Sequence, residues 1–365
     1  MKKFNIASLM LATALVLSAC GNTANKDADK KEDTVVEENA TENKEDKDKV
    51  EEVKPETPEQ AEGNVILHRA YPRSKGANSF PRIVVATSGD KIVGVSIDEY
   101  QYENSDSELK GVSNSDKGFG EGASEGKKLI SKVDNEKAYS ATMKKAGSET
   151  SLIENYEGIA NFVKGKTIEE VEAFLKDKSD DEIVEAVSGA TFKSTPALIN
   201  YIVTTARDNQ FISVGHAENP ENLTFKAIIG APHGEKSFAD CVVAMENDKI
   251  VAASFDEYQY LEDGIGLSNA DDEFAKSYAD SKNVLGSKLE NSEKYSALMA
   301  EKAKSKVSIK DNFEAIEKFV SGKTIDEIKE AIGSKKEDGT IDSVTGATLK
   351  DTANYLQLIV DAASK

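Results

Sequence analysis

Two short, hydroxyl-bearing tetrads have the clearest chemical potential in this chain. The first is Ser188, Gly189, Ala190 and Thr191, and the second is Thr345, Gly346, Ala347 and Thr348. A central glycine lets the backbone approach a ligand closely, and each tetrad precedes an apolar, helix-like run, at 196–203 and 353–360. The start of a helix presents free N–H groups and the positive end of its dipole, which suit a phosphate. We therefore interpret the last threonine of each tetrad as a hydroxyl held beside an anion site. A loop followed by a capped helix would also explain either tetrad alone.

The tetrads belong to an internal repeat that covers most of the chain. The sequence Asp-Glu-Tyr-Gln-Tyr occurs at 98–102 and again at 256–260, and the two tetrads are 157 positions apart, from 188 to 345. A repeat of this length is a domain rather than a solenoid unit. We predict one domain at 64–210, a linker at 211–220 and a second domain at 221–365, each long enough to bury a core of its own.

Strand and helix patterns recur in both halves and define the elements that position the tetrads. Apolar, strand-like segments flank turn residues at 88–91 and 246–249, which predicts a β-hairpin in each half. Apolar residues at helical spacing follow, and Thr167 and Thr324 each precede a glutamate by three positions, as in capping boxes. Thr195 is the expected cap of the last helix in the first half. This order predicts an α+β fold, in which each of two tandem domains has an antiparallel sheet with packed helices.

Two other glycine-containing motifs resemble nucleotide-binding loops but lack necessary parts. Gly165-Lys-Thr resembles the end of a P-loop, yet Ala160 and Glu317 stand where the two halves would need the earlier glycine. The run at 118–123 resembles a dinucleotide fingerprint, but no strand–turn–helix context supports it and the second half does not repeat it. We interpret that run as a flexible loop.

The composition excludes several functional classes. The 365 residues carry a formal net charge of −20, which makes the chain a poor candidate for binding nucleic acid or for electrostatic docking on anionic lipid. With 3 histidines in the chain, a His-rich metal cluster is excluded, and no metal site is predicted. Cys241 lies in an apolar segment where the first half has Ile83, so we interpret it as a buried small hydrophobic residue.

The N-terminus has the features of an export signal. Two lysines precede a short apolar run at 6–16, and the sequence Leu-Ser-Ala-Cys ends at Cys20. This ending resembles the lipobox of bacterial lipoproteins, which implies a signal peptide at 1–19 and diacylglycerol on the sulfur of Cys20. An ordinary secretory signal is the alternative. We predict that residues 20–63 form a disordered tether rich in acidic residues and lysine, because little apolar surface there offsets the entropy of ordering.

The second tetrad lies in a longer sequence that resembles the flavinylation motif of FMN-binding domains. Asp342-Ser-Val-Thr-Gly-Ala-Thr348 matches a pattern of Asp, two variable residues, Ser or Thr, Gly, Ala, and Ser or Thr. In that family, a flavin transferase of the ApbE type moves FMN from FAD onto the last hydroxyl as a phosphoester. The resemblance implies covalent FMN on Thr348 and also on Thr191, where Glu185 replaces the motif's aspartate.

A bound flavin ring needs a flat apolar wall and a few hydrogen bonds. The expected stacking residues are Tyr100 and Tyr258, and Asp98 and Asp256 lie nearby at the end of the second hairpin strand. A structural strand end is the alternative interpretation of these four residues. Weaker candidates for polar contacts to the ring are Ser113, Asn114, Ser268 and Asn269.

The order of lipobox, charged tether and two such domains resembles PplA-type lipoproteins of Gram-positive extracellular electron transfer. The resemblance implies a diflavin electron carrier anchored at the extracellular face of the cell membrane and extending into the cell wall. It would receive electrons from a membrane NADH dehydrogenase or quinol route and pass them, between its two flavins, to free flavins, ferric iron or other extracellular acceptors. No residue set predicts a catalytic centre for a specific substrate. Two alternatives remain: an extracellular solute-binding or adhesion lipoprotein without flavin, and an electron-transfer subunit of a surface reductase.

Overall fold

The computed structural model of the protein describes residues 64–73, 78–270 and 273–365, and these form one compact unit. The predicted signal peptide, the lipidation site at Cys20 and the tether at 20–63 lie outside the described residues. Within the described ranges, no helix combines the length and the apolar character that a membrane crossing needs.

The strands form two antiparallel sheets. Their bounds are β1 Asn64–Ala70, β2 Ser79–Ser88, β3 Lys91–Asn104, β4 Lys127–Ser131, β5 Ile212–His216, β6 Thr224–Gly230, β7 Ser237–Glu246, β8 Lys249–Glu262 and β9 Asn283–Ser287. The first sheet has the order β4-β3-β2-β1-β5 and the second has the order β6-β7-β8-β9. Both predicted hairpins are confirmed. The β2–β3 turn contains Gly89 and the β7–β8 turn contains Asn247, with φ of 60° and 56°, values that tight hairpin turns require.

Helices follow the hairpin strands in each half. Their bounds are α1 Glu136–Lys145, α2 Leu152–Val163, α3 Ile168–Asp177, α4 Asp180–Ala186, α5 Thr195–Arg207, α6 Ser292–Ala303, α7 Ile309–Val320, α8 Ile325–Gly333 and α9 Thr352–Ser364. Thr167 and Thr324 cap α3 and α8 with both hydrogen bonds of a capping box, so the Gly-Lys-Thr motifs are helix starts, as predicted. The fold class is α+β with antiparallel sheets, also as predicted.

Alternation along β2 and β7 shows how the layers are stacked. Ile83 lies in a core cluster with α2 and α5, and its neighbour Val84 lies in a second cluster that contains residues of both sheets. Likewise, Cys241 lies with α7 and α9, whereas Val242 faces the first sheet. The sheets therefore pack face to face, and helices cover the outer face of each. Cys241 is fully buried, as predicted.

Aromatic side chains join the two halves through reciprocal pairs. Phe80 packs on Phe274 with ring centroids 5.5 Å apart, and the equivalent residues Phe238 and Phe119 pack at 5.0 Å. The run at 118–123, predicted to be a flexible loop, is instead a one-turn 3-10 helix at Gly120–Gly122. That prediction was wrong because the preceding Phe119 is buried in this aromatic cluster and anchors the run.

Buried charges also cross between the halves. Arg69 of β1 donates to the Asp240 carboxylate of β7 at 2.8 Å, and Arg82 of β2 lies 3.1 Å from the same carboxylate. Burial opposes ionisation of Asp240, but Arg82 and Arg69 outweigh it and hold the pKa of this carboxyl below its usual range. Asp240 is therefore an ionised centre shared by both halves.

The junction between the repeats is part of the folded unit. Residues 212–216, inside the predicted linker at 211–220, form β5 and pair with β1. The preceding Phe211 lies in the core cluster of the second half. The structure therefore has a sheet strand within the predicted linker, because Phe211 and β5 find partners in both halves.

Candidate functional site

The two tetrads have the same conformation in both halves. Gly189 and Gly346 have φ of 87° and 97°, in the region that favours glycine. In each tetrad the alanine is buried, whereas the first residue and the last threonine are exposed. A side chain at Gly158 of α2 would come within 2.8 Å of the Ser188 carbonyl, which shows how closely the first tetrad packs on its helix. The backbone is thus turned so that the threonine hydroxyl faces outward.

A buried asparagine fixes the backbone of each acceptor threonine. Asn155 Oδ1 accepts the Thr191 N–H at 2.6 Å, and Asn312 Oδ1 accepts the Thr348 N–H at 2.6 Å. The same oxygens lie 3.4 and 3.3 Å from the two threonine hydroxyls, and both asparagines are completely buried. Sequence reasoning missed these residues. A signal was available, because they are 157 positions apart, the same interval that separates the tetrads.

The sequence predicted that the tetrads lie directly at the helix starts, but in the structure they do not. The N-caps are Ser194 and Asp351, three residues after the respective threonine. A turn fills the gap, closed by hydrogen bonds from the N–H of the first helical residue to Phe192 and Leu349 carbonyls at 3.0 and 3.1 Å. Helix α5 begins at Thr195, so this residue is not the N-cap that the sequence predicted. The free N–H groups of each helix are therefore one turn away from the hydroxyl.

Thr348 opens onto a cavity of about 470 Å³. This volume falls in the range of small-molecule and cofactor sites. The lining residues are His233, Lys288, Tyr295, Met299, Ala303, Lys304, Ser305, Lys306, Val307, Ile309, Thr348, Leu349, Lys350, Asp351 and Tyr355. Four of them are lysines and one is a carboxylate, an excess of positive charge in a chain of net charge −20. The carboxylate, Asp351, lies 2.7 Å from Nδ1 of His233.

A buried ion pair lies at the wall of this cavity. Lys288 Nζ donates to Glu257 at 2.8 Å, and both side chains are almost completely buried. Tyr355 and Ser237 donate their hydroxyls to the same carboxylate. Burial opposes the lysine charge, but Glu257 raises the pKa of Lys288 above its ordinary value, so the cavity wall carries a fixed ammonium. Its Nζ also lies 4.4 Å from the ring centroid of Tyr295.

The first half contains equivalents of the ion pair and of the tyrosine beside it. Lys132 pairs with Glu99, and its Nζ lies 5.3 Å from the ring centroid of Tyr139. One contact differs between the halves. Thr150 Oγ1 lies 2.6 Å from Thr191 Oγ1, whereas the second half has Val307 at the corresponding position. The first hydroxyl therefore has a hydrogen-bonding partner that the valine cannot supply to the second.

The residues expected to contact a flavin ring lie elsewhere. Tyr100 and Tyr258 are completely buried in the aromatic cluster between the halves, and neither lines the cavity at Thr348. Asp98 is buried and accepts hydrogen bonds from Ser131 and from the backbone after β4; Asp256 does the same after β9. Burial raises the pKa of Asp98 to about 7 and that of Asp256 to about 6. The structure does not bring these four residues to the tetrads. The two tyrosines point into the aromatic cluster between the halves, and the two aspartates join strands to the turns that follow them.

Among the weaker polar candidates, the two asparagines lie at the contact between the halves. Asn114 donates to the Ser237 carbonyl at 2.8 Å, and the equivalent Asn269 donates to the Ser79 carbonyl at 2.5 Å. Ser268 is buried and Ser113 is half-buried. Both asparagines have positive φ, 62° and 65°, which places their amides across this contact. Their repetition in the sequence thus reflects packing of the two halves against each other.

Neither the described side chains nor comparisons with known proteins add a further assignment. Among the described residues, no group of three or more His, Cys, Asp or Glu side chains is arranged to hold a metal ion. No family model, no curated protein and no solved structure matches this chain. The site must therefore be interpreted from its own geometry.

Proposed function

We propose that this protein is a membrane-anchored, extracellular electron carrier with FMN attached through phosphoesters to Thr191 and Thr348. The observation that carries the proposal is the paired acceptor. In each half an exposed threonine donates its backbone N–H to a buried asparagine, and Thr348 opens onto a cavity of about 470 Å³. Two equivalent hydroxyls, each in the same glycine-containing turn, favour a shared modification over a chance loop.

The lining of the Thr348 cavity fits a flavin phosphoester. The exposed ammonium groups of Lys304, Lys306 and Lys350 would offset the charge of the phosphate. Tyr295, Met299, Val307 and Leu349 supply apolar surface for a planar ring. When bound, the flavin supplies the redox chemistry, and the protein supplies orientation and charge. For attachment, the Thr348 oxygen would lose its proton and replace AMP at the FMN phosphate of FAD, so that one phosphoanhydride bond breaks and one phosphoester forms.

The proposed route runs from the membrane outward. A membrane NADH dehydrogenase or quinol would reduce the flavins, and free flavins, ferric iron or another extracellular acceptor would oxidise them. The lipid on Cys20 and the tether at 20–63 would keep the folded unit at the extracellular face of the membrane. An ApbE-type flavin transferase is the partner needed to load the protein.

Intact mass after coexpression with such a transferase tests the proposal. The wild-type protein should gain two FMN phosphoester increments, and Thr191→Ala and Thr348→Ala should each lose one. Ser343→Ala is a matched control, because it removes another exposed hydroxyl at a variable position of the same motif. An unmodified wild-type mass under these conditions, or equal loading of all variants, would reject the assignment.

The excess of lysines at the cavity also fits a second candidate, a lipoprotein that binds a small anionic solute without flavin. This function predicts reversible binding that survives Thr348→Ala but weakens when Lys350 is replaced. Equilibrium dialysis with inorganic phosphate and with free FMN, on protein expressed without the transferase, distinguishes the two. Binding of either ligand by Thr348→Ala at wild-type strength would favour the solute-binding function.

A further inference from the structure

Asn155 of α2 and Asn312 of α7 each place a polar side chain beside an acceptor hydroxyl. Each reaches a threonine 36 positions further along the chain. Each is completely buried on a helix face that is mostly apolar. A buried polar group without a structural or functional task is costly, so the presence of the same amide in both halves requires an explanation.

The orientation of each amide is fixed from both sides. Asn155 Nδ2 donates to the Ser151 carbonyl at 2.7 Å and to Thr150 Oγ1 at 2.8 Å. Asn312 Nδ2 donates to the Ser308 carbonyl at 2.7 Å and to the Val307 carbonyl at 3.3 Å. With the NH₂ group engaged there, the carbonyl oxygen faces the tetrad. The group beside each acceptor hydroxyl is therefore an uncharged acceptor.

This lack of charge matters once a phosphoester occupies the hydroxyl. The Oδ1 atom lies 3.3 to 3.4 Å from the threonine oxygen, so a carboxylate at this position would lie beside the phosphate in a partly desolvated place, where like charges repel strongly. An aspartate could still accept the threonine N–H, but its second oxygen would face the carbonyl oxygens to which the amide now donates, so it would also destabilise the unmodified protein. Modification adds a further penalty to an aspartate, the repulsion between its carboxylate and the phosphate, and the neutral asparagine avoids that penalty.

We propose that Asn155 and Asn312 are positioning residues that make Thr191 and Thr348 compatible with a negatively charged substituent by holding each threonine with an uncharged oxygen. This inference rests on the proposed function. It predicts that charge at this position, rather than loss of the amide alone, makes the modified protein unstable.

The test compares loaded and unloaded protein in the Thr191→Ala background, which keeps one site. Asn312→Asp adds the charge, and Asn312→Ser removes the amide without adding charge. Thermal unfolding is measured at pH 8 with and without transferase coexpression, after intact mass has established loading. Loading should lower the midpoint of Asn312→Asp by about 3 °C or more, and this drop should shrink at 1 M salt because screening weakens the repulsion. Loading should not lower the unfolding midpoint of the parent or of Asn312→Ser.

The outcomes separate this inference from the function it rests on. A parent that takes up no FMN contradicts the proposed function itself. If the parent loads but the Asp and Ser variants respond alike to loading, or both fail to load, the inference is overturned and the proposed function is not. Loading of the Ser variant but not of the Asp variant supports it. If Asn312→Asp does not fold, the same test is made with Asn155→Asp in the Thr348→Ala background, with Asn155→Ser as its control. At this site the Thr150 hydroxyl can rotate to donate to the new carboxylate.

Discussion

At the residue scale, Glu317 shows how one buried carboxyl can make stability depend on pH. Its side chain is almost fully buried on α7, and Oε1 accepts the Phe255 N–H at 3.0 Å. Burial raises the pKa of Glu317 from its ordinary value of 4.5 to about 8, although the hydrogen bond from Phe255 opposes this. The first half has Ala160 at this position, so the fold itself does not require a carboxyl here.

Glu317→Gln should therefore become progressively more stable than wild type as the pH rises from about 5 to 8. Between these values the unfolded chain has lost the Glu317 proton while the folded protein retains it, so wild-type stability falls with rising pH by up to about 1.4 kcal/mol per unit from this group. Glutamine keeps the acceptor for the Phe255 N–H and has no proton to lose. Urea unfolding of both proteins at pH 5, 6.5 and 8 measures the difference. A difference that is constant over this range would contradict the assignment of Glu317 as a group protonated in the folded state.

At the element scale, the turn that carries each tetrad is determined by its glycine. Gly346 has φ of 97°, and a side chain there would also meet Ala315 at 3.2 Å. Gly333, the last residue of α8, has open space around its Cα and is a matched control.

Gly346→Ala should lower the free energy of unfolding by about 1–3 kcal/mol, because a residue with a side chain is strained in this conformation. Gly333→Ala should be neutral or raise it by up to about 1 kcal/mol, because alanine is the better helix former. Urea unfolding of the two variants beside wild type measures both effects. Equal midpoints for the two substitutions would mean that the tetrad turn is not held in the described conformation.

At the element scale, the sequence could predict some features of the fold and of the site but not others. Hairpins and capping boxes were predictable because their signals are local: turn residues between apolar segments, and a threonine three positions before a glutamate. The roles of Tyr100 and Tyr258 were not, since alternation shows which strand residues share a face but not whether that face meets a ligand or another sheet. Asn155 and Asn312 act over 36 positions, a distance along the chain that no local pattern reports.

At the scale of the whole molecule, Asp240 makes the two halves dependent on each other. It is buried between Arg69 and Arg82, and it also accepts a hydrogen bond from Tyr100 at 3.0 Å. Asp240→Asn would leave two buried guanidinium groups without a carboxylate, and breaking a buried pair in this way costs about 3–5 kcal/mol. Glu235→Gln is the control, since it removes an ion pair with Lys117 that also joins the halves but is largely exposed and contributes at most about 1 kcal/mol. Denaturant unfolding should show a large loss for the first variant and a small one for the second, and comparable losses would mean that the buried cluster does not hold the halves together.

The layered architecture also bears on how two flavins would work together. Asn155 holds Thr191 in the helical layer outside the first sheet, and Asn312 holds Thr348 outside the second. Facing sheets lie about 10 Å apart, so both sheets and their packed side chains separate the two attachment points, and electron tunnelling falls steeply with distance. In the fully loaded protein we therefore predict that each flavin discharges to its acceptor separately, in place of the passage of electrons between the two flavins that the resemblance implied. Stopped-flow oxidation of reduced protein by a ferric chelate tests this: the wild-type trace should equal the sum of the traces of Thr191→Ala and Thr348→Ala at the same protein concentration. A single wild-type phase at the rate of the faster variant would show instead that electrons equilibrate between the sites, as a carrier with its flavins in series requires.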